Sequence, residues 1–177
     1  MAMPIAAPRY TVDQVRGFPE DGQRYELLDG VLLVTPAPRK LHQVTVGRLF
    51  AQIFNALEPG GRAVAVTPGE LEIGGHTLLD PDILVYPAVY GPEVPWKLTR
   101  EWWLAVEVLS PASRVYDGEF KRPAYQGIGV AEVWIVDPDA RVVEVWEQGA
   151  AVARVERDRI EWQEVTIDLG GVWGEKR

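Results

Sequence analysis

The stretch Glu101-Trp102-Trp103-Leu104-Ala105-Val106-Glu107-Val108-Leu109-Ser110-Pro111 constrains the fold most, because so dense an apolar run must be covered and yet carries an acidic residue, Glu107, near its end. Alternate side chains of a strand share a face, so Leu104, Val106 and Val108 would line one side and Trp103, Ala105, Glu107 and Leu109 the other. A carboxylate among apolar neighbours is costly unless a metal ion, a cation or hydrogen bonds compensate it. What compensates Glu107 is therefore the central question about this molecule.

Composition narrows the possible answers. At 177 residues the chain is long enough for one domain with a sizeable core and short for two, giving a single domain over 11–170, a flexible arm over 1–10 and a tail over 171–177. Hydrophobic residues at 47% and charged residues at 25% match soluble globular proteins, which argues against global disorder and a membrane protein. No apolar run approaches the roughly 18 to 20 residues that span a bilayer, and the first nine residues lack the apolar core of a signal peptide, so the expected compartment is the cytoplasm and no membrane is involved. Cysteine is absent, which excludes disulfides, zinc-thiolate sites, iron-sulfur clusters and thiol nucleophiles. With only His42 and His76, a histidine-rich metal site is excluded too. The hard ligands that remain are carboxylates, which prefer Mg²⁺, Mn²⁺ or Ca²⁺. A net charge of -8 argues against broad, nonspecific nucleic-acid binding. It leaves room for a local site where divalent ions cancel part of that charge.

Along the chain, Thr11 is placed to cap a short helix through Val15 and Arg16. Residues 24–34 read as a β-hairpin around Asp29-Gly30, with Glu26 on its first strand. Lys40 to Leu57 has helical spacing through positions 41, 44, 49, 53 and 57, with His42 in the first turn and Pro59-Gly60-Gly61 as the stop. Arg62 to Ile73 reads as strand, with Pro68-Gly69 marking a bend or an edge position, and Asp82 stands at the entrance of a buried strand ending near Tyr86. After a proline-containing loop over 87–100 comes the Trp102 to Leu109 strand, then a helix from Ser113 to Gln126 with Asp117, Lys121 and Tyr125 on one face and a weak point near Glu119 imposed by Pro123. Strands are expected at Glu132 to Val136, Val142 to Trp146 and Ala151 to Val155, and a final strand or extended tail through Trp162 and Val165 to Leu169. This order gives an α/β fold, a mixed sheet flanked by helices.

Asp82 and Glu107 are separated by enough chain to leave one strand and return on its neighbour, and two carboxylates on adjacent strands can hold one divalent ion. A lysine such as Lys121 beside them would stabilise developing charge or orient an attacking water. These residues resemble the PD-(D/E)xK nuclease superfamily, with Pro81-Asp82 as its PD and Glu107 as its (D/E). Within it, the chain resembles a large family of restriction-endonuclease-like bacterial proteins of unknown function. The shared segments are Tyr25-Glu26-Leu27-Leu28-Asp29-Gly30, His42-Gln43, Pro81-Asp82, Glu107 to Ser113, Asp117 to Lys121, Tyr125 and Glu132 to Pro138, covering roughly residues 11–150. The resemblance implies a restriction-endonuclease-like fold with an added N-terminal β-hairpin and C-terminal strands. It also implies a Mg²⁺- or Mn²⁺-dependent endonuclease acting on nucleic acid, DNA above all, as a homodimer. Asp82, Glu107 and Glu26 would be the metal ligands, Lys121 and His42 would join them in catalysis, and Asp117 and Tyr125 would give support. The superfamily's lysine two residues after the glutamate is replaced by Leu109, so Lys121 must arrive from the following helix.

Simpler readings stand beside these. Glu107 could pair with an arginine at a sheet edge, Asp82 could serve only as a turn residue, Lys121 could be a solvated charge and His42 a surface or capping residue. Glu26 could only flank a turn, or its carboxylate could complete a metal site or fix Lys121. Arg39, Lys40, Arg48, Arg114 and Arg122 could line a groove or simply be solvated. The main rival function is a non-enzymatic module of the same fold that binds a protein partner through an acidic face. A glycoside hydrolase built on two carboxylates would leave Lys121 unexplained.

Overall fold

The computed structural model describes residues 8–35 and 37–174. Thr11 and Gln14 exchange side-chain-to-backbone hydrogen bonds, a capping box that starts helix α1 (Val12–Arg16). Strands β1 (Arg24–Leu28) and β2 (Val31–Thr35) pair antiparallel around Asp29-Gly30, whose positive φ angles of 48° and 80° suit the tight turn that Asp-Gly favours. Pro36, expected to help end β2, lies outside the described residues. Helix α2 (Lys40–Leu57) has the expected bounds but a shifted face: His42, Thr45, Val46, Leu49 and Ile53 are buried, whereas Leu41 is 45% exposed. The shift turns His42 inward.

The single strand expected over Arg62 to Ile73 is two, β3 (Ala63–Val66) and β4 (Leu71–Ile73), in different sheets. Between them, Gly69 passes so close to Leu84 that a Cβ there would collide with it, which explains the glycine at the change of sheet. Strand β5 (Thr77–Leu79), absent from the sequence reading, pairs with both β4 and β1, giving the sheet β2-β1-β5-β4. Strands β6 (Ile83–Pro87), β7 (Leu104–Val108), β8 (Glu132–Asp137), β9 (Val142–Glu147) and β10 (Arg154–Glu156) join β3 in a mixed six-stranded sheet of order β10-β9-β8-β7-β6-β3. Only β7 and β8 are parallel among the described pairs, and parallel neighbours need a crossover. That crossover carries a π-helix over Tyr116–Lys121 and then α3 (Arg122–Gly127).

Strand β7 sorts its side chains as alternation requires. Leu104, Val106 and Val108 pack with Leu49 and Ile53 of α2, while Ala105 and Leu109 pack on the other face with Tyr125, Val133 and Ile135. Trp103 precedes the strand, escapes its alternation and packs on the α2 side, not beside Ala105. The C-terminal segment is a hairpin, β11 (Arg159–Trp162) and β12 (Val165–Asp168), followed by helix α4 (Leu169–Trp173) capped by Asp168. Buried Ile160, Ile167, Leu169 and Val172 complete the core around α2, so the folded body runs past residue 170 and part of the expected tail is helix. At the other end Tyr10 donates its backbone N–H to Gly30 and packs edge-on against Phe18, which places it in the fold instead of in an arm.

Candidate active site

Glu107 lies near the C-terminal end of β7, 2% exposed. The antiparallel register pairs Ile83 with Val106, so Asp82, one residue before β6, comes opposite Glu107. Asp82 also accepts the backbone N–H of Val108 at 2.8 Å, which ties its side chain across the end of β7. Both carboxylates line a cavity of about 30 Å³ together with Arg24, His42, Ser113, Asp117 and Lys121. That volume admits a water molecule or an ion, and a nucleotide can reach only its mouth.

The π-helix delivers Lys121. Pro123 has no N–H to close an α-helical turn onto Glu119, and the ladder instead widens ahead of it, with Arg122 N–H reaching Asp117 O five residues back. Pro123 then falls in the first turn of α3, where a missing donor costs nothing. The expected weak point is thus a change of helical type, and Asp117, Lys121 and Tyr125 still face β7. Lys121 is 3% exposed, and its ammonium lies 2.7 Å from Glu26, 3.3 Å from Glu107 and 3.3 Å from Asp117, so three carboxylates surround one cation, while Asp117 Oδ1 is buried without a hydrogen-bond partner among the described residues. Tyr125 donates its hydroxyl to the same Glu107 Oε1 at 2.6 Å. Leu109, at the superfamily's lysine position, is buried in the core on that face.

Glu26 stands behind the lysine. Its Oε2 takes Lys121 and its Oε1 accepts the Asp80 N–H at 2.9 Å, so both oxygens are engaged and the residue does not line the cavity. His42 approaches from α2, with Nε2 3.0 Å from Asp82 Oδ2, while its Nδ1 is buried without a hydrogen-bond partner among the described residues. Arg24 completes the set, donating to Asp82 Oδ1 at 3.1 Å and to the Asp80 carbonyl at 2.9 Å. Arg24 lies outside the residues that the motif marks, although its place two residues before Glu26 on one strand puts it on the same face. The basic residues nominated for a groove line none of this cavity. Arg114 pairs with Asp137 at 2.6 Å, Arg39 with Asp139 at 3.6 Å, and Arg122 stacks over Trp146.

The charges behave unequally. Burial pushes the Glu107 carboxyl well above the usual carboxylate range, and Asp117, Asp82 and Glu26 add to this against the pull of Lys121. Burial acts on Asp82 in the same sense, but hydrogen bonding and charge from His42, then Arg24 and the Val108 N–H, overcome it and hold the group below its ordinary value. Burial raises Asp117 as well, and lifts Asp80 to about 7 with help from Glu26. For Lys121, burial opposes the charged form, yet Glu107, Glu26 and Asp117 prevail and keep the ammonium above its ordinary range. It is therefore a permanent cation and no base.

The carboxylates that line the cavity are those of Asp82, Glu107 and Asp117. Lys121 and Tyr125 both meet Glu107 at Oε1, and its Oε2 has no hydrogen bond among the described residues. Hard carboxylate oxygens in excess over cations suit Mg²⁺ or Mn²⁺. Among the described residues no three histidine, aspartate or glutamate side chains cluster closely enough to cage an ion unaided. Mg²⁺ in phosphoryl-transfer sites is commonly held by one or two carboxylates, with water and substrate phosphates filling the remaining positions, so the residues present fit.

The wider comparisons agree with this architecture. No curated protein matches the chain significantly. The crystal structure of a putative nuclease belonging to DUF820 from Anabaena variabilis ATCC 29413 superposes with a TM-score of 0.75 at 19% identity, covering 93% of this chain and 97% of that one. At that identity the likeness shows the fold. No helix among the described residues is long and apolar enough to cross a membrane. The Uma2 family model, described as "Putative restriction endonuclease", matches residues 12–172, and the chain accordingly belongs to the Uma2 family.

Proposed function

We propose that the protein is a Mg²⁺- or Mn²⁺-dependent endonuclease that hydrolyses phosphodiester bonds of nucleic acid, with DNA as the substrate. The observation that carries this is Lys121, which leaves the strand pattern at Leu109 and returns from a separate helix to within 3.3 Å of Glu107, in the cavity that Asp82 also lines. Membership of a family described as "Putative restriction endonuclease" supports it. Asp82 and Glu107 would hold the ion, and Glu26, its two oxygens already engaged, serves to fix Lys121 instead of ligating metal. A bound divalent ion supplies Lewis acidity to a phosphoryl oxygen and lowers the pKa of a water.

The chain's own groups do the rest. Lys121 supplies positive charge beside the phosphoryl oxygen or the incoming water, while Glu26 holds Lys121 and Tyr125 holds Glu107 in register. His42 orients Asp82 and keeps it ionised. Because the cavity holds no nucleotide, the phosphodiester meets these groups at the mouth. Cutting both strands of a duplex takes two such sites, so a homodimer belongs to the proposal. The acidic-face binding module fits less well: Glu26, Asp82, Glu107 and Asp117 are all buried and present no face. Incubating the protein with plasmid and single-stranded DNA in Mg²⁺ or Mn²⁺ tests the reading. Cleavage abolished by chelator and by Asp82→Ala is expected; inactivity on every substrate and metal, with Asp82→Ala indistinguishable from wild type, would favour the binding module.

A further inference from the structure

Each carboxylate oxygen has room for two hydrogen bonds. Asp82 Oδ2 receives both His42 Nε2 at 3.0 Å and the Val108 N–H at 2.8 Å and is filled. Its Oδ1 receives Arg24 Nη1 at 3.1 Å, so the position left for an ion on Asp82 lies beside a guanidinium. Arg24 is anchored there by its second bond, to the Asp80 carbonyl at 2.9 Å, yet its side chain remains 26% exposed and lines the cavity. A divalent ion on Oδ1 would press its charge against that guanidinium. A planar guanidinium fork also matches two phosphate oxygens, and the basic residues Arg39, Arg114 and Arg122 are engaged elsewhere.

We infer that Arg24 is a positioning residue that guards Asp82 in the metal-free protein and transfers to a substrate phosphate when the ion binds, an inference that rests on the proposed function. The guard couples the two binding events: metal frees the guanidinium, and the phosphate that receives it favours metal in return. A merely structural Arg24 would weaken metal and nucleic-acid binding together when removed. A guard separates them, because its loss relieves charge repulsion at the ion while removing a phosphate contact.

The test is calorimetric titration of Mn²⁺ into wild type, Arg24→Gln and Arg24→Lys, with Glu107→Ala as control, and fluorescence anisotropy of labelled duplex DNA with Ca²⁺ as a non-cleaving ion. Arg24→Gln should bind Mn²⁺ at least threefold more tightly and DNA at least tenfold more weakly. Arg24→Lys, which keeps the charge and loses the fork, should bind Mn²⁺ as wild type does and DNA at least threefold more weakly. Folded Arg24→Gln with unchanged or weaker Mn²⁺ binding, or with unchanged DNA binding, overturns the inference alone. If Arg24→Gln does not fold, wild-type behaviour of Arg24→Lys in both measurements overturns it. Wild type that takes up no Mn²⁺, or whose uptake survives Glu107→Ala, overturns the proposed function and this inference with it.

Discussion

Asp82 and Glu107 are neighbours on adjacent strand ends, both buried, and their acidities are pushed in opposite directions. Asp82 receives three donors, two from side chains that are or can be cationic, and remains an anion. Glu107 receives Lys121 and Tyr125 on one oxygen but shares the lysine with Glu26 and Asp117, so its share of positive charge does not cover the cost of burial. Burial alone therefore does not decide how a carboxylate behaves; the ratio of donors to competing carboxylates does. In the proposed site Asp82 would be a ready ligand, and Glu107 would become one when further positive charge arrives.

The comparison breaks most severely at Lys121. Lys121→Met would leave Glu26, Glu107 and Asp117 facing one another without their shared cation, and removing one partner of a buried ion cluster costs about 3–5 kcal/mol. Urea unfolding at pH 8 should show that loss, and any DNA cleavage should fall by roughly 10²–10³-fold, the usual effect of deleting one transition-state donor. Stability unchanged by the substitution would mean that the carboxylates are compensated by something other than this lysine.

Acidity gives the next test. Asp80 has a folded pKa of about 7 against an ordinary value of 3.8, so between those two pH values the folded chain keeps a proton that the unfolded chain has released. Unfolding free energy therefore falls as pH rises across that window, and the raised pKa values of Glu107 and Asp117 act in the same sense. Asp82 acts oppositely: its stabilisation is present above its unfolded pKa and is lost as pH falls through the lowered folded value. Metal-free protein should accordingly be less stable at pH 8 than at pH 5. Asp80→Asn should recover on the order of 2 kcal/mol of that difference, read from urea unfolding at both pH values and discounted for partial solvent access. A flat profile in both proteins would contradict the raised pKa values.

Much of this was legible in the sequence. Period-two alternation marked Glu107 as buried, Asp-Gly fixed the hairpin that carries Glu26, and the four-residue spacing of Asp117, Lys121 and Tyr125 put them on one face. The parts that were not legible depend on tertiary contacts. His42 turned inward because α2 buries the stripe through Val46 and Leu49 in preference to Leu41 and Val44. The division of β3 from β4 follows from the close approach of Gly69 to Leu84, which no local pattern reports. The π-helix lies between: Pro123 announced a disruption, but only the fold shows that a widened turn absorbs it.

Smaller perturbations sharpen the contrast between the two carboxylates. His42→Ala removes one of two donors from Asp82 Oδ2 and should cost about 1.5–3 kcal/mol, the range for hydrogen bonds to charged groups, with the Asp82 pKa moving upward in carboxyl NMR. Tyr125→Phe removes only a neutral donor from Glu107 and should cost about 1 kcal/mol in unfolding. Equal losses from the two substitutions would mean that Asp82 and Glu107 are compensated alike.

Calorimetric titration of Mn²⁺ into wild type and Glu107→Ala tests the central claim most directly. The account predicts binding by wild type that falls at least tenfold in Glu107→Ala, because the deleted carboxylate is one of two that would hold the ion. Equal binding by the two proteins would contradict it, and would leave Lys121 and Tyr125 as the whole of what compensates Glu107.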